Sequence, residues 1–108
     1  MSDRFETPKA RRAALLDEAF AHVLSTHGTR KYTYWRDLIG KDPLVFPHPG
    51  DSKVEIEVSA IWDSHPEGVI RVLVSILHST RFGISLPTKS FLIHSDDRVD
   101  TPSQPSSA

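Results

Sequence analysis

The stretch Val54-Glu55-Ile56-Glu57-Val58-Ser59-Ala60-Ile61-Trp62 places an apolar residue at every second position. This period of two is typical of a β-strand with one buried face and one face in water. Turn-forming residues follow at 63–68, and the chain alternates again over residues 69–77. We therefore predict two strands whose inward-facing side chains are Val54, Ile56, Val58, Ala60 and Trp62 in the first and Ile70, Val72, Val74 and Ile76 in the second.

The pairing of these two strands is constrained, because a slip of one residue exchanges the two faces of a strand. Antiparallel pairing of Val58 with Val72 brings both apolar sets to one face. The same register places Arg71 across from Ser59 and diagonal to Glu57. We expect this register to define the centre of the sheet.

Two further strands are predicted at residues 82–86 and 91–94. A turn at residues 78–80 leads into the first of them, and a four-residue turn at 87–90 separates the two. All three hairpins then direct their apolar side chains to one face. The sequence predicts a four-stranded antiparallel meander.

Residues 7–28 predict an amphipathic helix that covers this face. Thr7 is a suitable N-cap, Pro8 suits the first helical position, and Gly28 is expected to end the helix in the left-handed conformation. The apolar stripe of the helix contains Leu15, Leu16, Ala19, Phe20, Val23 and Leu24. The predicted fold class is α+β, an N-terminal amphipathic helix packed on a four-stranded antiparallel meander.

Three other segments complete the predicted organisation. Trp35, Leu38 and Ile39 fit one face of a short helix that ends at Gly40, and the prolines of residues 42–51 predict a loop. We expect one domain over residues 1–97. The polar residues 98–108 predict a disordered tail.

Composition excludes several classes of function. The 108 residues contain no cysteine, so neither disulfides nor a thiol nucleophile is possible, which fits a reducing compartment. No apolar run approaches the roughly 20 residues that span a bilayer, and the N-terminus lacks the apolar block of a secretion signal. We expect a cytoplasmic protein that does not contact a membrane.

The net charge of −1 is unevenly distributed. Residues 1–41 carry eight Lys or Arg against five Asp or Glu, whereas residues 42–108 carry five against nine. Either both halves are ordinary solvated surfaces, or the acidic half that contains the sheet binds a basic partner.

The outward face of the predicted sheet is more apolar than a fully hydrated face. It carries Ile61, Val69, Leu73, Leu77 and Leu92 among Glu55, Glu57, Ser59, Arg71, Ser75 and Arg81. Two explanations remain open. Either residues 32–46 fold across this face, or the face is a contact surface for another chain.

No set of residues has the spacing of a known catalytic site, and no cofactor is expected. His65 lies beside Asp63 in a loop whose composition is that of an ordinary turn. His78, His94 and Asp96 form the best metal-like group, because His78 and His94 are expected to approach each other at one end of the sheet. Their spacing matches no named metal site.

The C-terminal 40 residues resemble a family of small bacterial proteins of unknown function. The resemblance rests on residues 68–76, Gly-Val-Ile-Arg-Val-Leu-Val-Ser-Ile, on Leu-Pro-Thr-Lys-Ser-Phe-Leu at 86–92, and on Asp96-Asp97. Members of that family carry an Ile-Arg-Val-x-Val-Ser-Ile strand, an acidic glycine-rich turn and a strand that begins Pro-Leu-Thr. This chain departs from the pattern with His-Ser-Thr at 78–80 and with Leu86-Pro87. The resemblance implies an α+β meander and implies neither an activity nor site residues.

The function that these observations favour is a small non-catalytic module that binds another protein, as an immunity or inhibitor protein binds a toxin or an enzyme. If that enzyme were a nuclease, the acidic residues would imitate nucleic-acid phosphates. A homodimer through the outward face is also open. The predicted contact residues are Glu55, Glu57, Arg71, Leu73, Trp35 and Arg36.

Two alternatives remain. The first is a nucleic-acid-binding or regulatory module that uses Arg30, Lys31, Tyr34, Trp35 and Arg36, since aromatic rings stack on bases and cations bind phosphates. A nucleic-acid partner is less favoured, because the whole chain is not basic. The second alternative is a small metal-assisted enzyme built on the His78, His94 and Asp96 group.

Overall fold

The structure, a computed structural model, describes residues 8–78 and 88–101, with side chains over 10–77 and 88–101. Two helices precede one antiparallel sheet of five strands in the order β1-β2-β3-β4-β5. The elements are α1 (Pro8–His27), α2 (Tyr32–Leu38), β1 (Leu44–His48), β2 (Asp51–Trp62), β3 (Ile70–His78), β4 (Thr88–Ile93) and β5 (Val99–Asp100). This confirms the α+β class with an N-terminal helix on the sheet, with five strands in place of four.

The inward faces of the strands are the predicted ones. Val54, Ile56 and Val58 in β2 and Ile70, Val72, Val74 and Ile76 in β3 are all fully or almost fully buried, and Ala60 is buried with them. Trp62 is half-buried at the rim of the core. From α1, the predicted stripe contributes its buried side chains Leu15, Leu16, Ala19 and Val23. Burial of each large aliphatic side chain contributes roughly 1.5–3 kcal/mol, so contact with the sheet stabilises α1 more than its helix propensity does.

The short helix α2 packs on the same face of the sheet as α1. Trp35 is fully buried, and its ring meets the ring of Phe91 in β4 edge to face, with centroids 5.8 Å apart. On the other side, Phe20 of α1 packs against the same Phe91 ring at 5.9 Å. Phe91 therefore joins both helices to the sheet.

The register of β2 and β3 differs from the predicted one by two residues. Val58 pairs with Val74 rather than with Val72, and Ala60 pairs with Val72. Arg71 consequently lies opposite Ile61 instead of Ser59 and is no longer diagonal to Glu57. A slip of two residues keeps every side chain on its face, so alternation alone does not exclude it.

β4 occupies the place beside β3 that we predicted for a third strand. The positions expected opposite Ile84 and Leu86 pair instead with Lys89 and Phe91 of β4. Residues 82–86 lie outside the described part of the chain. The predicted turn at 87–90 is also wrong, since residues 88–90 belong to β4.

Two edge strands were not predicted. β1 lies in the segment that we interpreted as a loop, and Pro47 is accommodated because β1 is the first strand of the sheet and the ladder has an irregularity at that point. β5 pairs Val99 with Ile93 inside the segment predicted as a tail. The sheet therefore extends to residue 100.

The two glycines that follow the helices have different roles. Gly40 takes the left-handed conformation, with φ +83°, just beyond α2. Gly28 does not, contrary to our prediction for it. A Cβ at Gly28 would lie 2.3 Å from the carbonyl oxygen of Leu24, so close approach to α1 explains why glycine occupies this position. Thr7, the predicted N-cap, lies outside the described residues.

A tight turn after β4 holds the start of α2. Asp97 has φ +71°, and its Oδ1 accepts a hydrogen bond of 2.7 Å from the backbone N–H of Tyr32. The hydroxyl of Tyr32 donates to the carbonyl oxygen of Gly68 at 2.6 Å, in the loop between β2 and β3. Through these bonds α2 is joined to two turns at the same end of the sheet.

We expect Asp97→Ala to destabilise the fold by about 2 kcal/mol. It removes the acceptor at the N-terminus of α2, and it leaves alanine in the left-handed region without the side-chain hydrogen bond that compensates aspartate there. Asp97→Asn is the matched control, since asparagine tolerates that conformation and keeps the acceptor oxygen. Urea unfolding measures both. Equal losses in the two variants would contradict the role of the Asp97 hydrogen bond.

Candidate functional site

The face of the sheet that points away from both helices is called here the outer face. Because side chains alternate along strands, it is formed by the residues between the buried ones. Its members are Val45 and Pro47 in β1, Lys53, Glu55, Glu57, Ser59 and Ile61 in β2, Arg71, Leu73, Ser75 and Leu77 in β3, Thr88, Ser90 and Leu92 in β4, and Asp100 in β5. Four of the predicted contact residues, Glu55, Glu57, Arg71 and Leu73, lie on it.

Apolar side chains run across the outer face. Val45 and Ile61 have 49% and 45% of their surface exposed, and Leu73, Leu77 and Leu92 are half-buried. None of these five belongs to the core cluster beneath the helices. These five apolar side chains are therefore separate from the core and are interspersed with polar ones.

The structure shows where residues 32–46 lie. They do not fold across the outer face, so the first of the two explanations for its apolar side chains is wrong. Trp35 of α2 packs against Phe91 on the inner face, and β1 continues the sheet as an edge strand. Within residues 8–78 and 88–101, no helix packs on the outer face.

Glu55 and Glu57 lie among the apolar side chains of the outer face, in β2. The cross-strand neighbours of Glu55 are Pro47 and Leu77, and those of Glu57 are Val45 and Ser75. Across the described residues neither carboxylate has an ion pair or a side-chain hydrogen bond. Within the described part of the chain, neither carboxylate is occupied.

Arg71 is held in place between Ile61 and Leu92, near the start of β3. Its Nε donates to Asp63 Oδ1 at 2.9 Å, a second nitrogen approaches the same oxygen at 2.6 Å, and the third donates to Ser90 Oγ at 2.8 Å. The carboxylate of Asp63 compensates the guanidinium charge. Arg71 therefore presents a fixed group of almost no net charge beside Ile61 and Leu92.

Trp35 and Arg36 do not lie on the outer face; the prediction of Trp35 as a contact residue is wrong, and that of Arg36 stays a prediction. Trp35 has no exposed surface. Arg36 is exposed on α2, on the helix side of the sheet, with its Nε 3.8 Å from Asp37 Oδ1.

The same burial weakens the nucleic-acid alternative. Trp35 is unavailable to stack on a base, and the half-buried Tyr34 already contacts the Trp35 ring and the guanidinium of Arg30, 4.8 Å from its centroid. The nearby imidazole of His27 stacks on Phe46 at 5.6 Å. Burial, with the positive charge of Arg30 as a smaller cause, lowers the pKa of His27 below its usual value, so the folded state favours the neutral ring.

The predicted metal group is not assembled. His94 follows β4 beside the start of β3, whereas His78 pairs with Val54 at the far end of β3. Eight residues of strand separate these ends by roughly 26 Å, given a rise of about 3.3 Å per residue. No cluster of three or more His, Asp or Glu residues suited to a metal ion occurs where the structure describes side chains. His65 is exposed in its loop and forms no catalytic pair with Asp63, which binds Arg71.

Three residues of the outer face and of the Arg71 site were not predicted from the sequence. Val45 was not predicted to be exposed on the sheet because the neighbouring prolines indicated a loop. The alternation of Leu44 and Phe46 with Val45 and Pro47 was the available signal. Asp63 and Ser90 bind Arg71 only once the strands are paired, so the sequence carries no local signal for them.

Comparison with protein-family models, with curated proteins and with solved structures found no match for this chain. The resemblance to a family of small bacterial proteins therefore stays a prediction. Among the helices that the structure describes, none has the length and apolar composition needed to cross a membrane.

Proposed function

We propose that this protein is a non-catalytic module that binds another protein through the outer face of its sheet. The observation that carries the proposal is the set of exposed and half-buried apolar side chains, interspersed with polar ones, on a sheet face that no described element covers. Interfaces between separately stable proteins mix apolar and polar groups in this way. Here Ile61 and Leu92 flank Arg71 near one end of the strands, and Glu55 and Glu57 lie in β2 beside Leu77 and Val45.

Arg71 supports the same function. Arginine is over-represented among residues that dominate binding energy, and a side chain that is already held in one conformation loses less entropy on binding. Asp63 and Ser90 hold the Arg71 guanidinium in the free protein. The proposed mode of action is occupation of a partner, as immunity and inhibitor proteins occupy the enzyme that they neutralise.

The test is an affinity capture from an extract of the organism that makes this protein. It compares the proteins retained by the native chain with those retained by an outer-face variant. The variant is Ile61→Thr with Leu73→Thr, which removes apolar surface, preserves charge and places β-branched threonine, suited to strands, at both positions. We expect at least a tenfold lower yield of the partner with this variant, measured by quantitative mass spectrometry, because about 1.4 kcal/mol of lost contact changes affinity tenfold.

The matched control is Ala21→Gln on the exposed side of α1. This variant should retain the partner at the level of the native chain. A partner lost equally from both variants, or retained by both, contradicts binding through the outer face. Circular dichroism of each variant checks that the fold is intact.

A further inference from the structure

The charge on the outer face has a defined sign and position. Glu55 and Glu57 are two residues apart in β2, so their Cα atoms lie about 7 Å apart on the same face. On a sheet, a carboxylate is commonly compensated by a cation on the neighbouring strand. Here the cross-strand neighbours of both are apolar residues or a hydroxyl.

The nearby cations are either compensated or not paired with these carboxylates. Arg71 is bound by Asp63, and Lys89 points to the helix side, where its Nζ lies 2.6 Å from Asp17 Oδ1. Lys53 is exposed near the start of β2 and forms no ion pair with either glutamate. Arg81, which the sequence predicts on this face, lies outside the described residues. Within residues 8–78 and 88–101, Glu55 and Glu57 therefore carry negative charge beside Val45 and Leu77 without an ion pair.

Given the proposed function, on which this inference rests, we infer that the partner presents arginine or lysine side chains to Glu55 and Glu57, next to an apolar group that contacts Leu77 or Val45. Coulomb attraction favours a cationic partner surface, whereas a nucleic acid would bring phosphates against these carboxylates. A second copy stacked face to face would bring two acidic borders into one interface. The basic partner is the occupant that the charges favour.

The experiment measures which small peptides bind the outer face, by titration of the isotopically labelled full chain in nuclear magnetic resonance. Three blocked three-residue peptides are used, in which a tryptophan stands between two arginines, two glutamines or two glutamates. We expect the arginine peptide to shift the amide signals around Glu55 and Glu57 and to bind about fivefold more tightly than the glutamine peptide, since two exposed ion pairs contribute modestly. The preference should vanish in 0.5 M salt, where the screening length falls to roughly 4 Å.

Variants assign the preference to the two carboxylates. Glu55→Gln with Glu57→Gln should bind the arginine and glutamine peptides equally, and Glu55→Lys with Glu57→Lys should bind the glutamate peptide best. The control is Glu18→Gln with Asp37→Asn, which removes the same charge from the two helices. This control should keep the preference for arginine.

Different failures have different meanings. Equal binding of the arginine and glutamine peptides to the outer face overturns the inference and leaves the proposed function intact. If no peptide shifts the outer-face signals, the proposed function fails as well. Sedimentation that shows a dimer dissociated by Ile61→Thr with Leu73→Thr would identify a second copy as the occupant and overturn the basic partner.

Discussion

Trp35→Ala is expected to lower the free energy of unfolding by about 3–5 kcal/mol, the range found when a large buried aromatic side chain is truncated. The Trp35 ring has no exposed surface and contacts the rings of Phe91 and Tyr34, with centroids 5.8 and 5.1 Å away. Its removal leaves a cavity between α2 and the sheet. Because a domain of this size is stable by only about 5–15 kcal/mol, the variant should approach global unfolding. Urea unfolding followed by circular dichroism measures the loss.

Two controls separate packing from other effects of the substitution. Trp35→Phe keeps an aromatic ring against Phe91, and it removes an indole nitrogen that has no hydrogen-bond partner in the described part of the chain. It should cost less than half as much as Trp35→Ala. Trp62→Ala removes the same atoms at the half-buried rim of the core and should also cost less than half. A loss below about 1 kcal/mol for Trp35→Ala would contradict the packing of α2 on the sheet.

His48→Ala is expected to cost about 2–4 kcal/mol, because it creates a cavity and leaves buried polar groups without their partner. The His48 side chain is completely buried. Its Nδ1 lies 2.9 Å from the backbone nitrogen of Gly50, and its Nε2 lies 2.9 Å from the carbonyl oxygen of Leu15 in α1. An N–H group needs an acceptor and a carbonyl needs a donor, so the ring is neutral with its proton on Nε2. His48 thus joins the turn after β1 to the first half of α1.

His48→Phe and His48→Asn divide this loss into its causes. Phenylalanine fills the space and removes both hydrogen bonds, whereas asparagine places an acceptor near Gly50 and does not reach Leu15. Both should lie between the native chain and His48→Ala in thermal and urea unfolding. If His48→Phe is as stable as the native chain, the two hydrogen bonds contribute nothing and the proposed role of His48 is wrong.

Trp35 and His48 show what a local sequence pattern predicts and what it does not. Trp35 was predicted to be structural as part of a short helix, and that helix is present up to Leu38 with Gly40 beyond it. The same Trp35 was also chosen as a contact residue, because its aromatic and basic neighbours resemble a binding segment. Burial against Phe91, 56 residues away in the chain, excludes that second role. Nothing in the sequence around His48 indicated a buried polar residue bonded to a helix carbonyl.

The strand pairing also separates what a local pattern predicts from what it does not. Alternation assigned the face of each residue in β2 and β3 correctly, and it did not distinguish registers that differ by two residues. The observed pairing opens a loop from Asp63 to Val69, closed by a bond of 2.8 Å from the Asp63 N–H to the Val69 carbonyl. Asp63 also binds Arg71, and Tyr32 binds Gly68 in that loop. These contacts join residues that are distant in sequence or depend on the loop conformation.

The α+β class, the helix α1 and the inward faces of the two central strands follow from the order of the residues, because a period of 3.6 or 2 is a local property that burial of one face imposes on consecutive residues. The register, the edge strands β1 and β5, the burial of Trp35 and the exposure of the outer face follow from the packing of the folded chain. Each of these depends on which distant segment lies alongside, and the free energy of that contact is absent from either segment alone.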